Sequence, residues 1–337
     1  MLVEEVKVKE EKRSGFQTLD PSTKKAIYSG IALILLVIVF SIARPTFLTP
    51  GNLINIAQQV VTYAILGFGL TFCLVCGGTD LSAGASMALS GIIVTTLLIS
   101  GVPLWISIIV SMVFGILMGV LNGFTIEVLG VVPFIATLGT QWVFRGLANV
   151  LVEGKPIYTN VIPDTGIQEA FYAIGGGRLP GGLPYSVIIV AVYGLILAFL
   201  LAKTRIGRQI YACGSNLEAA KLSGINAVGT RMFAYCVSEF SAAIAGIIVT
   251  SRISSAQPMA GNGLEMEAIA AAVIGGVSNS GGQGAIINTV IGALIMGVLR
   301  NGLNLLGVSS FWQQVIIGII IVAVIALDVK RNKKGKK

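Results

Sequence analysis

The chain is 337 residues long, 55% hydrophobic and only 11% charged, with a formal net charge of +8 and no histidine. Water-soluble domains carry roughly 25% charged residues, so a soluble enzyme is excluded and an all-α polytopic membrane protein is expected. The missing histidines remove histidine-based catalysis and histidine metal sites.

The positive charge is concentrated in three places: Lys24 and Lys25 with the N-terminal tail, the stretch 203–231, and the tail KRNKKGKK from Lys330. Basic residues beside membrane spans mark the cytoplasmic side, so the charge reports sidedness and implies no nucleic acid. Of the four cysteines, Cys73 and Cys76 lie in an apolar run with no further ligands nearby and read as packing residues. Cys213 falls in the stretch read as cytoplasmic, where thiols stay reduced. The 42 glycines suit helices that approach closely in lipid.

Residues 1–25 read as a cytoplasmic tail, too acidic for the start of a signal peptide. A crossing takes about 20 apolar residues. On that measure the predicted spans are 26–43, 53–76, 82–100, 104–124, 133–152, 185–202, 232–251, 267–277, 285–299 and 311–327. The transmembrane region is therefore 26–328, followed by a basic tail at 329–337. Ten crossings from an inside N-terminus return the C-terminus inside. They also place 203–231 inside and the Gly- and Pro-rich stretch 153–184 outside, in agreement with all three basic clusters.

A weak internal repeat links MGVLNGFTIEVLGVVPF (118–134) with MGVLRNGLNLLGVSSF (296–311), and in this topology the copies run in opposite directions. That is the pattern of an inverted repeat. A shorter match of GGTDLSAG with GGVSNSGG would instead imply a parallel repeat.

The basic stretch KTRIGRQIYACGSNLEAAKLSGINAVGTR holds one acid, Glu218. Within it, Leu217 to Ile225 reads as a short amphipathic helix stopped by Gly224. So short a helix needs a docking surface, and the expected surface is another protein.

No GxxxxGK[ST] loop occurs; GSNLEAAK lacks the second glycine. The chain is expected to hydrolyse no nucleotide, to hold no metal and no cofactor, and not to be an enzyme. Polar residues inside spans are the default functional candidates, because a central charge costs at least ~2.5–3.5 kcal/mol. They are Asp80 and Ser82 at the GG break, Gln141 (with Arg145), Glu239, and, near the outer end of the ninth span if it reaches Leu306, Asn301 and Asn304. Each has a plainer reading. Asp80 and Ser82 can cap the third span, Arg145 can snorkel outward, and Glu239 and the amides can tie helix to helix. Glu265 and Glu267 read as an acidic first helical turn.

Several stretches together resemble the permease subunits of ribose-type ABC importers. They are GGTDLSAGASMALSG (77–91), PFIATLGT (133–140), TRIGRQIYACGSNLEAAKLSGIN (204–226), SAQPMAGNGLEMEAIAAAVIGGVSNSGGQG (255–284) and NGLNLLGVSSFWQ (301–313), in the family's order. The resemblance implies a ten-helix permease working as a pair, usually a homodimer. It implies a cytoplasmic ABC ATPase that carries ATP and Mg, and an extracytoplasmic sugar-binding protein. It places the protein in a bacterial inner membrane. The family's coupling loop maps onto Glu218, Ala219, Ala220 and Gly224, within a helix whose other members are Leu217, Lys221 and Ile225. A same-architecture permease for a branched-chain amino acid or a signal polyol is the first alternative. An ion-driven transporter, which needs intramembrane carboxylates such as Asp80 and Glu239, is the second.

Overall fold

In a computed structural model of the protein, which describes residues 21–334, thirteen α-helices account for nearly all regular structure. Six are long and apolar enough to cross a membrane: α1 (Pro21–Ala43), α2 (Pro50–Val75), α4 (Leu104–Glu127), α7 (Tyr185–Lys203), α10 (Ala227–Ile253) and α12 (Ile286–Leu305). Four more pack among them: α3 (Ala83–Ile99), α5 (Pro133–Leu151), α11 (Leu264–Gly275) and α13 (Ser310–Lys334). Together they make the ten helices of the predicted permease body.

Helices α2 and α10 pack together at the centre and, like α12, are largely buried. Most of each is enclosed by protein, whereas α1, α4 and α7 expose apolar side chains such as Ile34, Phe114 and Leu195 on their outer faces. Apolar exteriors are what lipid selects.

The inverted repeat is visible in the packing. Helix α4 lies against α10, and its counterpart α12 lies against α2; α3 and α5 pair as α11 and α13 do. The repeated MG dipeptides do the same job in each half. A side chain at Gly119 would strike the α10 backbone at Tyr235 and Cys236, and one at Gly297 would strike Val60 of α2. The competing GG match fails this test. Gly77–Gly84 leads into α3, while Gly275–Gly282 follows α11.

Three helices lie outside the ten. Helices α8 (Arg205–Ser215) and α9 (Leu217–Leu222) turn the predicted basic loop into a nearly continuous helical platform. The loop expectation also set the following span too late. Asn226 caps α10 through Gly229 N at 3.0 Å, so α10 starts at Ala227 rather than 232. The end of α2 reaches this platform, Gly282 N donating to Val75 O at 2.8 Å and Tyr211 Oη to Gly284 O at 2.5 Å. The ion pair of Arg231 with Glu127, at 2.9 Å, brings the start of α10 and the end of α4 to the same basic end.

At the opposite end the stretch 153–184 is more ordered than its glycines suggest. It holds β1 (Ile157–Tyr158), which pairs antiparallel with β2 (Ser255–Ala256), and α6 (Thr165–Gly176), capped by Asp164. Helix α6 packs on α10, with Gly175 against the Ile248 carbonyl.

Helix α11 is shifted from expectation. It begins three residues earlier than predicted and stops at Gly275, where Gly276 takes φ +118°. Its 12 residues rise about 18 Å at 1.5 Å each, against a hydrocarbon core of roughly 30 Å. It does not cross alone. A non-helical segment, 255–263, descends first from the β pair, just as 77–82 rises from the end of α2 before α3. The first turns of α3 and α11 therefore meet inside the bundle, with Gly84 against the Gly261 carbonyl and the Glu265 carboxylate.

Candidate translocation and coupling sites

The polar candidates fall into three separate clusters. The first surrounds the start of α3. Asp80, Ser82 and Glu239 are fully buried. Asp80 does not cap the helix as predicted. Its Oδ1 accepts from the Ser82 amide at 3.0 Å and lies 2.6 Å from Ser82 Oγ, a local turn before the helix begins. Ser82 Oγ also lies 2.5 Å from Glu239 Oε1. Asn122 of α4 donates to both Ser82 Oγ (2.8 Å) and Glu239 Oε1 (3.0 Å), and accepts from Thr140 of α5 at 2.6 Å.

With α10 beginning at Ala227, Glu239 lies more than three helical turns from the basic end. A serine hydroxyl has one proton to donate, yet Ser82 Oγ is in hydrogen-bond contact with two carboxyl groups. That hydroxyl serves one carboxyl at a time, and Asp80 Oδ2 and Glu239 Oε2 are buried without a hydrogen-bond partner. Burying two bare carboxylates without a basic partner is costly.

A prediction follows for thermal unfolding of detergent-purified protein. Glu239→Gln should change Tm little, because the amide oxygen still accepts from Asn122 and the buried charge is removed. Asp80→Leu removes two acceptor bonds and should cost about 2–4 kcal/mol. A loss with Glu239→Gln as large as that with Asp80→Leu would show that Glu239 is held charged.

The second cluster pins the segment before α11. Arg145 does not snorkel outward. Its Nη1 donates to the carbonyls of Pro258 (2.6 Å) and Ala260 (2.7 Å), while Gln141 Nε2, one turn away, donates to Glu265 Oε1 at 3.2 Å. Glu265 does occupy the first turn of α11 and is buried. Glu267 does more than favour a helix terminus: it pairs with Arg300 of α12 at 2.6 Å and accepts from Tyr63 of α2 at 2.8 Å.

The third cluster lies at the end opposite α9. Asn301 and Asn52 exchange amide hydrogen bonds at 2.8 and 2.9 Å, and Asn304 accepts from Gln313 at 2.6 Å. The partners Asn52, Asn122, Tyr63 and Arg300 were not singled out from sequence. Asn122 and Tyr63 gave a usable signal, being polar groups inside the predicted spans 104–124 and 53–76, whereas Asn52 and Arg300 fell just outside theirs.

The coupling candidates form a surface. Asn216 caps α9 through Ala219 N at 3.0 Å. Ala220 is buried, and Leu217 and Ile225 pack partly against the core, so these three dock the helix on its own chain. Glu218, Ala219, Lys221, Ser223 and Gly224 face outward, with a Glu218–Lys221 pair at 2.9 Å. Leu222, absent from the predicted set, is 90% exposed. Gly224 turns the chain at φ +78°, a conformation that disfavours side chains.

A family model described as branched-chain amino acid transport system / permease component matches residues 52–325. The chain belongs to this permease family. The ribose import permease of Bacillus subtilis (strain 168) is 44% identical over 302 residues, covering 90% of this chain and 92% of that protein. That of Haemophilus influenzae is 40% identical, covering 89% and 92%. The D-allose transport system permease of Escherichia coli (strain K12) is 38% identical, covering 88% and 89%. The aligned range takes in all three polar clusters and both platform helices of this permease.

Proposed function

We propose that the protein is the membrane subunit of a ribose importer, forming the path across the membrane and coupled to a separate ATPase. The observation that carries this reading is the 44% identity to a ribose import permease over nearly the whole of both chains. The platform of α8 and α9 supports it. It is a charged surface with one exposed leucine, at the end of the bundle where basic residues gather. The charge pattern assigns that end, and both termini, to the cytoplasm.

The partners follow from the same reading. A cytoplasmic ABC ATPase dimer supplies ATP and Mg and grips α9. An extracytoplasmic sugar-binding protein delivers to the opposite end. A second copy of the permease completes the channel. ATP-driven closure of the ATPases displaces α9, and the bundle responds by exchanging outward- and inward-open states. Asp80, Ser82 and Glu239 are sealed from any surface in this conformation. We assign them to holding α3 on α10, and assign the path to Asn301, Asn304 and their neighbours.

The test is uptake of labelled D-ribose by a bacterium lacking its own ribose permease, supplied with this chain and its cognate ATPase and binding protein. ATP-dependent uptake that survives an uncoupler is expected. Uptake of leucine or allose in place of ribose would overturn the substrate, and collapse with the uncoupler would overturn the ATP-driven mechanism.

A further inference from the structure

Three hollows on the bundle surface differ in chemistry. A groove of about 390 Å³ beside Phe68 and Val190, and one of about 440 Å³ beside Phe114 and Phe144, are almost wholly apolar in lining. They sit on outward helix faces and suit lipid chains. The third differs. It is a cleft of about 410 Å³ at the end opposite α9, lying between the start of α2 and the ends of α10 and α12. Its walls are almost all amide: Asn52, Asn55, Gln59, Asn301 and Asn304, with Arg252 at one side. Small-molecule sites run from roughly 300 to 1,000 Å³.

We infer that this cleft is a docking station on the permease itself for a neutral, hydroxyl-rich solute of monosaccharide size. The inference deepens the import reading and rests on it for the direction of transport.

The floor is rigid. Asn52 and Asn301 are locked together by their reciprocal amide bonds, and Asn52 also donates to Phe47 O at 2.8 Å. The walls keep hydrogen-bonding capacity in reserve. Gln59 Oε1 is buried with no partner, and Asn55 and Asn304 are exposed. A carboxamide presents a donor and an acceptor side by side, which is what neighbouring hydroxyls of a sugar match. Several convergent amides therefore recognise a polyol without needing charge.

The lining also argues against an amino acid, the substrate named in the family model's description. A zwitterion needs a cation for its carboxylate and an anion for its ammonium group, and an apolar wall for a branched side chain. Arg252, which donates through Nη1 to Gln58 O at 2.8 Å, offers only one of the two opposite charges a zwitterion needs. No acidic residue lines the cleft, and Leu305 is its one aliphatic lining residue.

A polar face continues below the cleft. Asn52, Asn55, Gln59 and Tyr63 recur at helical spacing along one face of α2. Tyr63 meets the Glu267–Arg300 pair, which ends the stripe roughly 16 Å below its top at 1.5 Å per residue. The α2 face thus links the amide cleft to a charged floor.

The test uses purified full-length permease in detergent, with saturation-transfer NMR of D-ribose and, separately, of L-leucine. Wild type should give a ribose signal and no leucine signal. Asn55→Leu and Asn304→Leu, made singly at exposed positions, should each weaken ribose binding by about tenfold, the worth of one hydrogen bond to an otherwise buried ligand group. Unchanged Tm verifies folding of both. No ribose signal from wild type, a ribose signal untouched by both substitutions, or a leucine signal of equal strength would each overturn the station. A permease that binds ribose in this cleft yet supports no ribose uptake in cells would leave the station standing and sink the import reading alone.

Discussion

Replacing Leu222 with aspartate is expected to abolish sugar-stimulated ATP hydrolysis while leaving the permease folded. Leu222 ends α9 with 90% of its surface exposed, whereas Leu217 and Ala220 of the same helix, and Ile225 just beyond it, face the permease core. A leucine left in water forgoes about 1.5–3 kcal/mol of burial, and the platform end lies beyond the apolar span of α7, so lipid does not cover it. Its neighbours Glu218, Lys221 and Ser223 form a polar rim. An apolar centre within a polar rim is the anatomy of a protein interface. If Leu222 fills a pocket on the ATPase, truncation should cost at least about 2 kcal/mol, roughly thirtyfold in affinity, and aspartate adds the desolvation of a charge. The measurement is co-purification of the ATPase with the variant and hydrolysis in reconstituted complex. Tm should not move, because the side chain touches little of its own chain. Glu218→Lys, at a solvated pair, should have a far smaller effect. Wild-type ATPase binding by Leu222→Asp would remove α9 as the point of grip.

The ten-helix body was legible because a membrane span announces itself by length and apolarity, which α1, α4 and α7 show without ambiguity. The errors came where those two signals part. The apolar run around α11 continues past Gly275, so composition alone carried the helix to Val277, whereas the backbone turns left-handed at Gly276. Helices α6 and α8 were missed because glycine and charge discourage a helix assignment. The first is held by its Asp164 cap and its fit on α10, the second by Thr204 and by Ile210 and Cys213 packing inward. The five-residue error at the start of α10 displaced Glu239 by about 7.5 Å in apparent depth, enough to make a buried residue look peripheral. Its true setting depends on Ser82, 157 residues away in sequence, and on Asn122, 117 away. No local pattern encodes such a meeting. The inverted repeat could have foretold that α4 packs on α10 as α12 packs on α2, but not which side chains touch. For the same reason the amide cleft was half legible: Asn301 and Asn304 stood out within an apolar run, while the α2 stripe that faces them needed the fold.

Gly292→Leu is expected to prevent accumulation of folded permease, and even Gly292→Ala should be strongly destabilising. A Cβ at Gly292 would overlap the carbonyl oxygen of Ala271, and one at Gly275 would overlap that of Asn288. Helices α11 and α12 thus cross with backbone against backbone at two points, Gly275 on one and Gly292 on the other. Lipid offers no hydrophobic drive for helix association, so close packing of small residues carries it. Helix α11 depends on that contact more than its neighbours do, having only 12 residues and no full crossing to anchor it. What yields here is backbone, not the tip of a flexible side chain, so relaxation requires moving a whole helix. Ordinary overpacking costs about 1–3 kcal/mol, and a clash with fixed backbone exceeds that range. Shifting α11 would also pull Glu267 from Arg300 and Tyr63 and Glu265 from Gln141, which separates the charged floor from the cleft above it. Membrane abundance and Tm of Gly292→Ala and Gly292→Leu, with Gly318→Ala as a control at a position where an added Cβ meets nothing within 4 Å, measure the effect. Equal stability of Gly292→Ala and Gly318→Ala would mean that α11 and α12 do not meet as closely as described, and the charged floor would then need another support.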